Sequence, residues 1–430
     1  MDAVQYFNNA FEQQRTGSQH LSAFQQNNLD AFNKHGLPAI KHEEWKYTRV
    51  RNLFKDGLTY TPTLASTGLQ FPLLKGTEEA NRIVFINGVF HASLTHIIEA
   101  EGTLSVKALE TAAGDEDAEL VKAHLGHSND YHNDGINALN GAFAAGGVFI
   151  HVKANAVLNQ PVVIYHITDN INGHIFSQPR ILGYVGANAQ ATIIETYHST
   201  GKEETLSNEV IEICVAKDAH LQYIKLQDEG QHANHTGTTH IRQLEKAYTQ
   251  AVTISLSGAV LRNNLNMIME AEYGESHMYG LYLLNGNTQV DNHTIVDNQM
   301  PNCFSNELYK GIMDDSSAGI FNGKIFVRKD AQKTNAYQSN KNVLIGANAS
   351  ANTKPQLEIF ADDVKCSHGC TIGKLDEEAL FYLRARGISE TNAKALLLHA
   401  FAGDILQQIK HEALRNHIDA LISDRLSFQI

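Results

Sequence analysis

The residues best suited to metal chemistry lie in one short stretch, Phe360-Ala-Asp-Asp-Val-Lys-Cys-Ser-His-Gly-Cys-Thr-Ile-Gly-Lys374. It holds Cys366 and Cys370, two of the chain's four cysteines, with His368 midway between them and Asp362 and Asp363 just upstream. Thiolate and imidazole are soft or borderline metal donors, and the first site they suggest is one for zinc. In an extended chain the two-residue period puts Cys366, His368 and Cys370 on one face and Ser367 and Gly369 on the other. One strand does not close a tetrahedral zinc site in this way. Same-face neighbours lie roughly 6.5 Å apart, whereas two ligands at about 2.0 to 2.3 Å from one ion must sit within about 4 Å of each other. The triplet surrounds one ion only if Gly369 bends the chain; otherwise it is half of a site completed by another strand or subunit. The competing reading makes Cys366 and Cys370 small buried hydrophobes and His368 a hydrogen-bonded turn residue.

Composition narrows the setting. The net charge of −13 and the lack of Lys/Arg blocks argue against nucleic acid as a partner. The first residues, Met-Asp-Ala-Val-Gln-Tyr-Phe-Asn-Asn-Ala, do not read as a signal peptide, and no run reaches the roughly 18 apolar residues of a membrane helix. Cys214, Cys303, Cys366 and Cys370 are few and irregularly spaced, which fits a reducing, cytoplasmic setting better than a disulfide framework.

The metal-competent stretch marks a change of pattern. Residues 1 to about 60 read as helical, with Leu21 to Phe32 apolar at steps of three and four until Gly36 and Pro38 break the period. His42-Glu-Glu-Trp-Lys-Tyr-Thr48 contains the only tryptophan, which is expected to anchor this arm on the main body rather than to frame catalytic carboxylates at Glu43 or Glu44. From about 80 to 365 the sequence reads as all-β, with Val/Ile-rich runs such as Gly147-Val-Phe-Ile-His-Val and Pro161-Val-Val-Ile-Tyr-His-Ile between Gly, Asn and Asp turns. A weak repeat places a small residue ahead of alternating apolar positions at Ala189, Ala219, Ala247 and Gly274, with starts 30, 28 and 27 residues apart. One tight corner and one short strand per coil is what a parallel β-helix requires, with a propeller as the alternative. The strict hexapeptide repeat of left-handed β-helices is absent, which favours the right-handed form. Gln332, Thr334, Ala336, Gln338, Asn340 and Asn342 alternate with Lys333, Asn335, Tyr337, Ser339 and Lys341, as in a polar ladder.

After Lys374 the pattern is helical again. Asp376 and Ser389 are placed to cap two helices, the first ended by Gly387. Ala393, Leu396, Leu397, Ala400, Phe401 and Ile405 form an apolar stripe in the second, and Glu412 to Ile422 reads as a third. These helices are expected either to cap the last coil or to offer a docking face.

Four segments carry a family resemblance: Ala331-Gln-Lys-Thr-Asn-Ala336, Ala351-Asn-Thr-Lys-Pro-Gln-Leu-Glu-Ile359, Ala361-Asp-Asp-Val-Lys-Cys-Ser-His-Gly369 and Leu380-Phe-Tyr-Leu-Arg-Ala-Arg-Gly-Ile388. They closely resemble the SufB/SufD family of iron–sulfur cluster assembly scaffolds, most densely over about residues 310 to 405. Glu44-Trp-Lys-Tyr-Thr48, the Cys-Ser-His-Gly motif and the Phe-Tyr-Leu before Arg384 resemble the SufD branch rather than SufB. The resemblance implies a right-handed parallel β-helix over 79–373, between an N-terminal helical region at 1–78 and a C-terminal helical region at 374–430. It implies pairing with SufB through the β-helix and docking of the SufC ATPase on the C-terminal helices, for which Leu396, Leu397 and Phe401 are candidates.

By the same resemblance His368, with Cys366, faces SufB and helps build a nascent iron–sulfur cluster that is transient and shared, with no metal held tightly by the isolated chain. Cys370 stands where the family commonly has Ala and inherits no role. A homodimer is expected when the partner is absent, because the surface is built to meet a paralogous solenoid. No P-loop is present, so no ATPase activity is expected of this chain, nor enzymatic activity of its own. Two rival readings are a structural interaction subunit without a metal role and a β-helix carbohydrate enzyme. The latter would need carboxylate clusters, whereas Asp314-Asp315 and Asp362-Asp363 read as turn and corner residues.

Overall fold

The small residues that open each repeat sit at the corners of a parallel β-solenoid. Asn188, Asp218, Lys246, Tyr273, Asn302 and Lys333 adopt left-handed conformations with φ between 55° and 62°. The next residue is in each case small and buried: Ala189, Ala219, Ala247, Gly274, Cys303 and Thr334. The left-handed residue turns the chain, and its N–H bonds to the next coil's corner, as in Asn188 N to Lys217 O at 3.0 Å and Asp218 N to Glu245 O at 3.0 Å. Asn and Asp tolerate this conformation; Lys246, Tyr273 and Lys333 are held in it by the stacked coils on either side.

The structure, a computed structural model, describes residues 3–14, 19–39, 41–54, 58–60, 71–132 and 134–428. The N-terminal region holds helices α1 (Ala3–Gln14), α2 (Ser22–His35) and α3 (Val50–Leu53), then strands β1 (Thr59–Tyr60), β2 (Asn81–Ile86), β3 (Val89–Phe90) and β4 (Leu104–Ala108). Short helices follow at α4 (Leu109–Ala112), α5 (Ala118–His124) and α6 (Ile136–Ala142), so the stretch read as all-β contains helices of four to seven residues, too short to leave a periodic signal. Eight coils come next. The first two contain β5 (Val148–Val152), β6 (Val162–Thr168), β7 (Ile175–Ser177), β8 (Arg180–Val185) and β9 (Gln190–Ser199). The middle three contain β10 (Thr205–Val215), β11 (His220–Asp228), β12 (Ala233–Gln243), β13 (Tyr248–Ser257), β14 (Val260–Met269) and β15 (Glu275–Leu284). The last three contain β16 (Gln289–Asn298), β17 (Phe304–Met313), β18 (Ala318–Val327), β19 (Asn335–Leu344), β20 (Ser350–Ile359) and β21 (Lys365–Gly373). The chain ends in α7 (Glu377–Ala385), α8 (Glu390–Leu406) and α9 (Glu412–Phe428).

Successive coils pair in parallel to build two sheets, one ordered β20-β18-β16-β14-β12-β10-β8-β5-β4 and the other β21-β19-β17-β15-β13-β11-β9-β6-β2-β3. Their inward faces share one core running from Ile83 and Val148 through Leu221 and Tyr282 to Ala336 and Ala361. The outward faces are covered too. Phe176 and Leu206 pack against α1, α2 and α6, and Ile224, Val252, Leu281 and Ile312 pack against Leu398, Ile405, Leu414 and Ile422 of α8 and α9. The C-terminal helices therefore lie along the flank of the solenoid and do not cap its last coil. Strands apolar on both faces, such as Val162–Thr168, supply that second surface. No described helix is long and apolar enough to cross a membrane.

Candidate functional site at the open last coil

Strand β21 is the terminal member of its sheet. It pairs with β19 through Ala336↔Cys366, Gln338↔His368 and Asn340↔Cys370, and no described strand pairs with its other edge. Strand β20 ends the facing sheet in the same way; Pro355 fits there because an edge strand can spare a donor. The N–H of Lys365 bonds to Thr334 O at 2.9 Å, so the alternation of a parallel ladder turns the N–H groups of 366, 368, 370 and 372 outward. Tyr337, Ile359, Phe360 and Ile372 expose apolar surface around this end. Each of the two sheets thus ends, among the described residues, in an unpaired strand edge with an apolar fringe, a geometry open to strand addition.

The sequence triplet sits on this edge. Cys366 is half-buried against the solenoid core, and burial pushes its thiol above the usual range. His368 and Cys370 are exposed. Among the described residues, sets of three His, Cys, Asp or Glu donor atoms all within 4.8 Å of one another occur at His166/Glu195/Glu209 and at Asp115/Glu116/Asp117; Cys366, His368 and Cys370 do not form one. Asp362 and Asp363 are exposed corner residues, with Asp363 O accepting from Lys333 N at 2.6 Å.

Below the triplet the polar ladder is buried: Gln338 at 3 %, Asn340 at 0 % and Asn342 at 4 % exposure. Gln338, in register beneath His368, donates through Nε2 to Glu307 Oε2 at 2.7 Å, and Glu307 lies one coil further in. Burial pushes the Glu307 carboxyl up to about 7. The alternation at 332–342 foretold Gln338; nothing in Asn306-Glu-Leu-Tyr marked Glu307. The other two cysteines are structural. Cys303 is a corner residue and Cys214 lies on β10, both buried, with thiols pushed up by burial to about 11 and about 12.

Trp45 is the expected anchor. Its Nε1 donates to Asp134 Oδ2 at 2.6 Å and its ring lies 4.6 Å from the Arg262 guanidinium. Thr48 Oγ1 donates to Asp291 Oδ2 at 2.6 Å, and Glu44 takes Lys324 Nζ at 2.6 Å. His293 and Lys324 hold the Glu44 carboxyl well below the usual range, as an ion-paired clamp across β14, β16 and β18.

On the flank, Asp376 Oδ1 caps α7 through the N–H groups of Glu378 and Ala379, and Ser389 Oγ caps α8 through Asn392 N, as their positions foretold. The face of α8 differs from the expected stripe. Ala393, Leu398, Ala402, Ile405 and Leu406 are buried, whereas Leu396 is 52 % exposed and Ala400 faces solvent. Apolar residues surround this helix, so periodicity alone did not fix its inner side. Leu397 is half-buried, and Phe401 packs on the solenoid with Lys310 Nζ 4.4 Å from its ring. On α7, Phe381 and Tyr382 are likewise exposed, at 73 % and 58 %.

The described residues thus combine a solenoid with an open last coil, soft donors on its terminal strand and an apolar helical flank. Comparison with known proteins gives the family. "SUF system FeS cluster assembly, SufBD core domain" matches residues 166–401, and "SufBD protein N-terminal region" matches residues 3–164. The chain is 31% identical over 427 residues to the iron–sulfur cluster assembly protein SufD of Escherichia coli, covering 99% of this chain and 97% of that one. It is 31% identical over 402 residues to an iron–sulfur cluster assembly SufBD family protein of Synechocystis, covering 90% and 87%. A chloroplastic protein of Arabidopsis thaliana, ABCI7, is 28% identical over 298 residues, 66% of this chain and 62% of that protein. The chain belongs to the SufB/SufD family and is a SufD-like iron–sulfur cluster assembly protein.

Proposed function

We propose that the chain is the SufD-type subunit of a cytoplasmic complex with a SufB-type paralogue and a SufC-type ATPase, and that it contributes half of a transient cluster-assembly site. The observation that carries this reading is the pair of open edges on β20 and β21 with Cys366 and His368 on the second. A paralogue whose last coil meets these edges would bring a second set of donors opposite His368, and a small movement between subunits would then change the ligand set and release the cluster. The nascent cluster is cargo, and the isolated chain holds none of it tightly. Without the paralogue a second copy occupies the same edges, giving a homodimer. The exposed Phe381, Tyr382 and Leu396 favour the α7–α8 flank as the ATPase dock, with Leu397 and Phe401 behind it. ATP hydrolysis falls to that partner, and the chain performs no catalysis of its own.

Co-expression with the two partners tests the assembly. Ile372→Pro removes an outward-facing N–H from β21 while sparing the ladder to β19. Its expected result is loss of co-elution with the SufB-type partner at unchanged circular dichroism. Undiminished co-elution would show that the partner docks elsewhere.

A further inference from the structure

Far from the open coil, the solenoid interior holds a second constellation of donors. His166 of β6, Glu195 of β9 and Glu209 of β10 point into the lumen with exposures of 5 %, 0 % and 0 %. His166 Nε2 stands 2.9 Å from Glu209 Oε1 and 3.7 Å from Glu195 Oε1. None of these three atoms has a hydrogen-bond partner of acceptable alignment. Leaving so many buried polar atoms unmatched is costly unless something shared lies between them.

The remaining atoms of the two carboxylates are occupied. Glu209 Oε2 takes Lys225 Nζ at 2.7 Å and Tyr197 OH at 2.8 Å, and Glu195 Oε2 takes Tyr223 OH at 2.6 Å. These bonds turn both Oε1 atoms toward His166. The imidazole is itself fixed, stacked between Phe85 and Tyr197 with centroids at 5.3 Å and 4.8 Å. Two carboxylates against the Lys225 ammonium leave one negative charge at the Oε1 pair, which either a proton on His166 or a bound cation between these atoms balances. Another buried histidine lies against the other oxygen of Glu209. His235 is 1 % exposed with both ring nitrogens unpartnered and Nε2 4.0 Å from Glu209 Oε2. Its ring leans over Gly237, where a Cβ would lie 2.3 Å from that nitrogen.

We propose that His166 Nε2, Glu195 Oε1 and Glu209 Oε1 form a resident site for a divalent first-row transition ion inside the solenoid. Imidazole plus two carboxylate oxygens suits Mn2+, Fe2+ or Zn2+. Ligands about 2.1 Å from an ion stand about 3.0 to 3.4 Å apart between octahedral and tetrahedral angles, close to the 2.9 Å and 3.7 Å that separate His166 Nε2 from the two carboxylate oxygens. The ion joins β6 and β9 of one sheet to β10 of the other. It is a different site from the cluster edge, since β9 and β21 are six strand steps apart, about 29 Å at the usual strand spacing. Burial this complete implies that the ion enters as the chain folds and leaves only on unfolding.

The test is metal content of the full chain, expressed in medium with manganese, iron and zinc salts and dialysed against chelator. About one equivalent of divalent ion per chain is expected to survive, falling below about a tenth in His166→Gln and Glu209→Gln and unchanged in Cys366→Ala/His368→Ala. Wild-type chain refolded from urea with Co2+ provides a readout that needs no variant to fold, with visible d–d bands expected from a bound ion. A chelator-dialysed wild type with less than a tenth of an equivalent, roughly, together with a colourless cobalt refold would overturn the proposal and leave a proton on His166 as the missing cation. Metal lost with the Cys366/His368 pair instead would also overturn it, by assigning the ion to the edge.

Discussion

Glu307 provides a test of the buried polar ladder beneath the β21 edge. Its carboxyl is raised from 4.5 to about 7, because burial disfavours the anion more than the Gln338 hydrogen bond favours it. The native chain therefore keeps this proton to higher pH than the unfolded chain does. Stability is full below pH 4.5 and falls between 4.5 and 7 by about 1.4 kcal/mol per pH unit, about 3 kcal/mol in all. Glu307→Gln keeps the shape and the acceptor for Gln338 but removes the titration. At pH 8 the variant is expected to be more stable than the wild type by about 3 kcal/mol, and at pH 4.5 the two should be nearly equal. Urea unfolding of both proteins at half-unit steps from pH 4.5 to 8.5 measures the gap. A gap that stays constant across that range would refute the burial argument for this carboxyl.

The α8 face makes a paired prediction: Leu396→Asp should abolish binding of the SufC-type ATPase at unchanged melting temperature. Leu398→Asp, at a position 1 % exposed, should cost several kcal/mol of stability, and a melting curve beside a pull-down separates the two. The thiols make another. In the native chain Cys370 and, more slowly, Cys366 should react with an aromatic disulfide reagent while Cys214 and Cys303 stay silent until denaturation; early labelling of Cys303 would contradict its corner position.

The solenoid was legible because its corners impose a composition. Ala189, Ala219, Ala247 and Gly274 must be small, and their spacing gives the coil length directly. The same corner also takes Cys303 and Thr334, which disguised the repeat over the last coils. The placement of α8 and α9 was not legible. Strands such as β6 are apolar outward as well as inward, a pattern that shows two covered faces without naming what covers them. Cys366, His368 and Cys370 were readable as an incomplete donor set from strand geometry alone. The lumenal trio His166, Glu195 and Glu209 was not, because its members are far apart in sequence and meet only when strands of both sheets fold round the same interior.

The central claim is that the edge bearing Cys366 and His368 is half of a cluster-building site. Anaerobic reconstitution with iron and sulfide on the complex co-purified with its SufB-type and SufC-type partners, followed by cluster absorbance, tests it most directly. The expected result is a cluster on the wild-type complex and its loss with His368→Ala in a complex of unchanged subunit composition. Equal cluster content in the two complexes would contradict the claim and leave His368 as an interface residue alone.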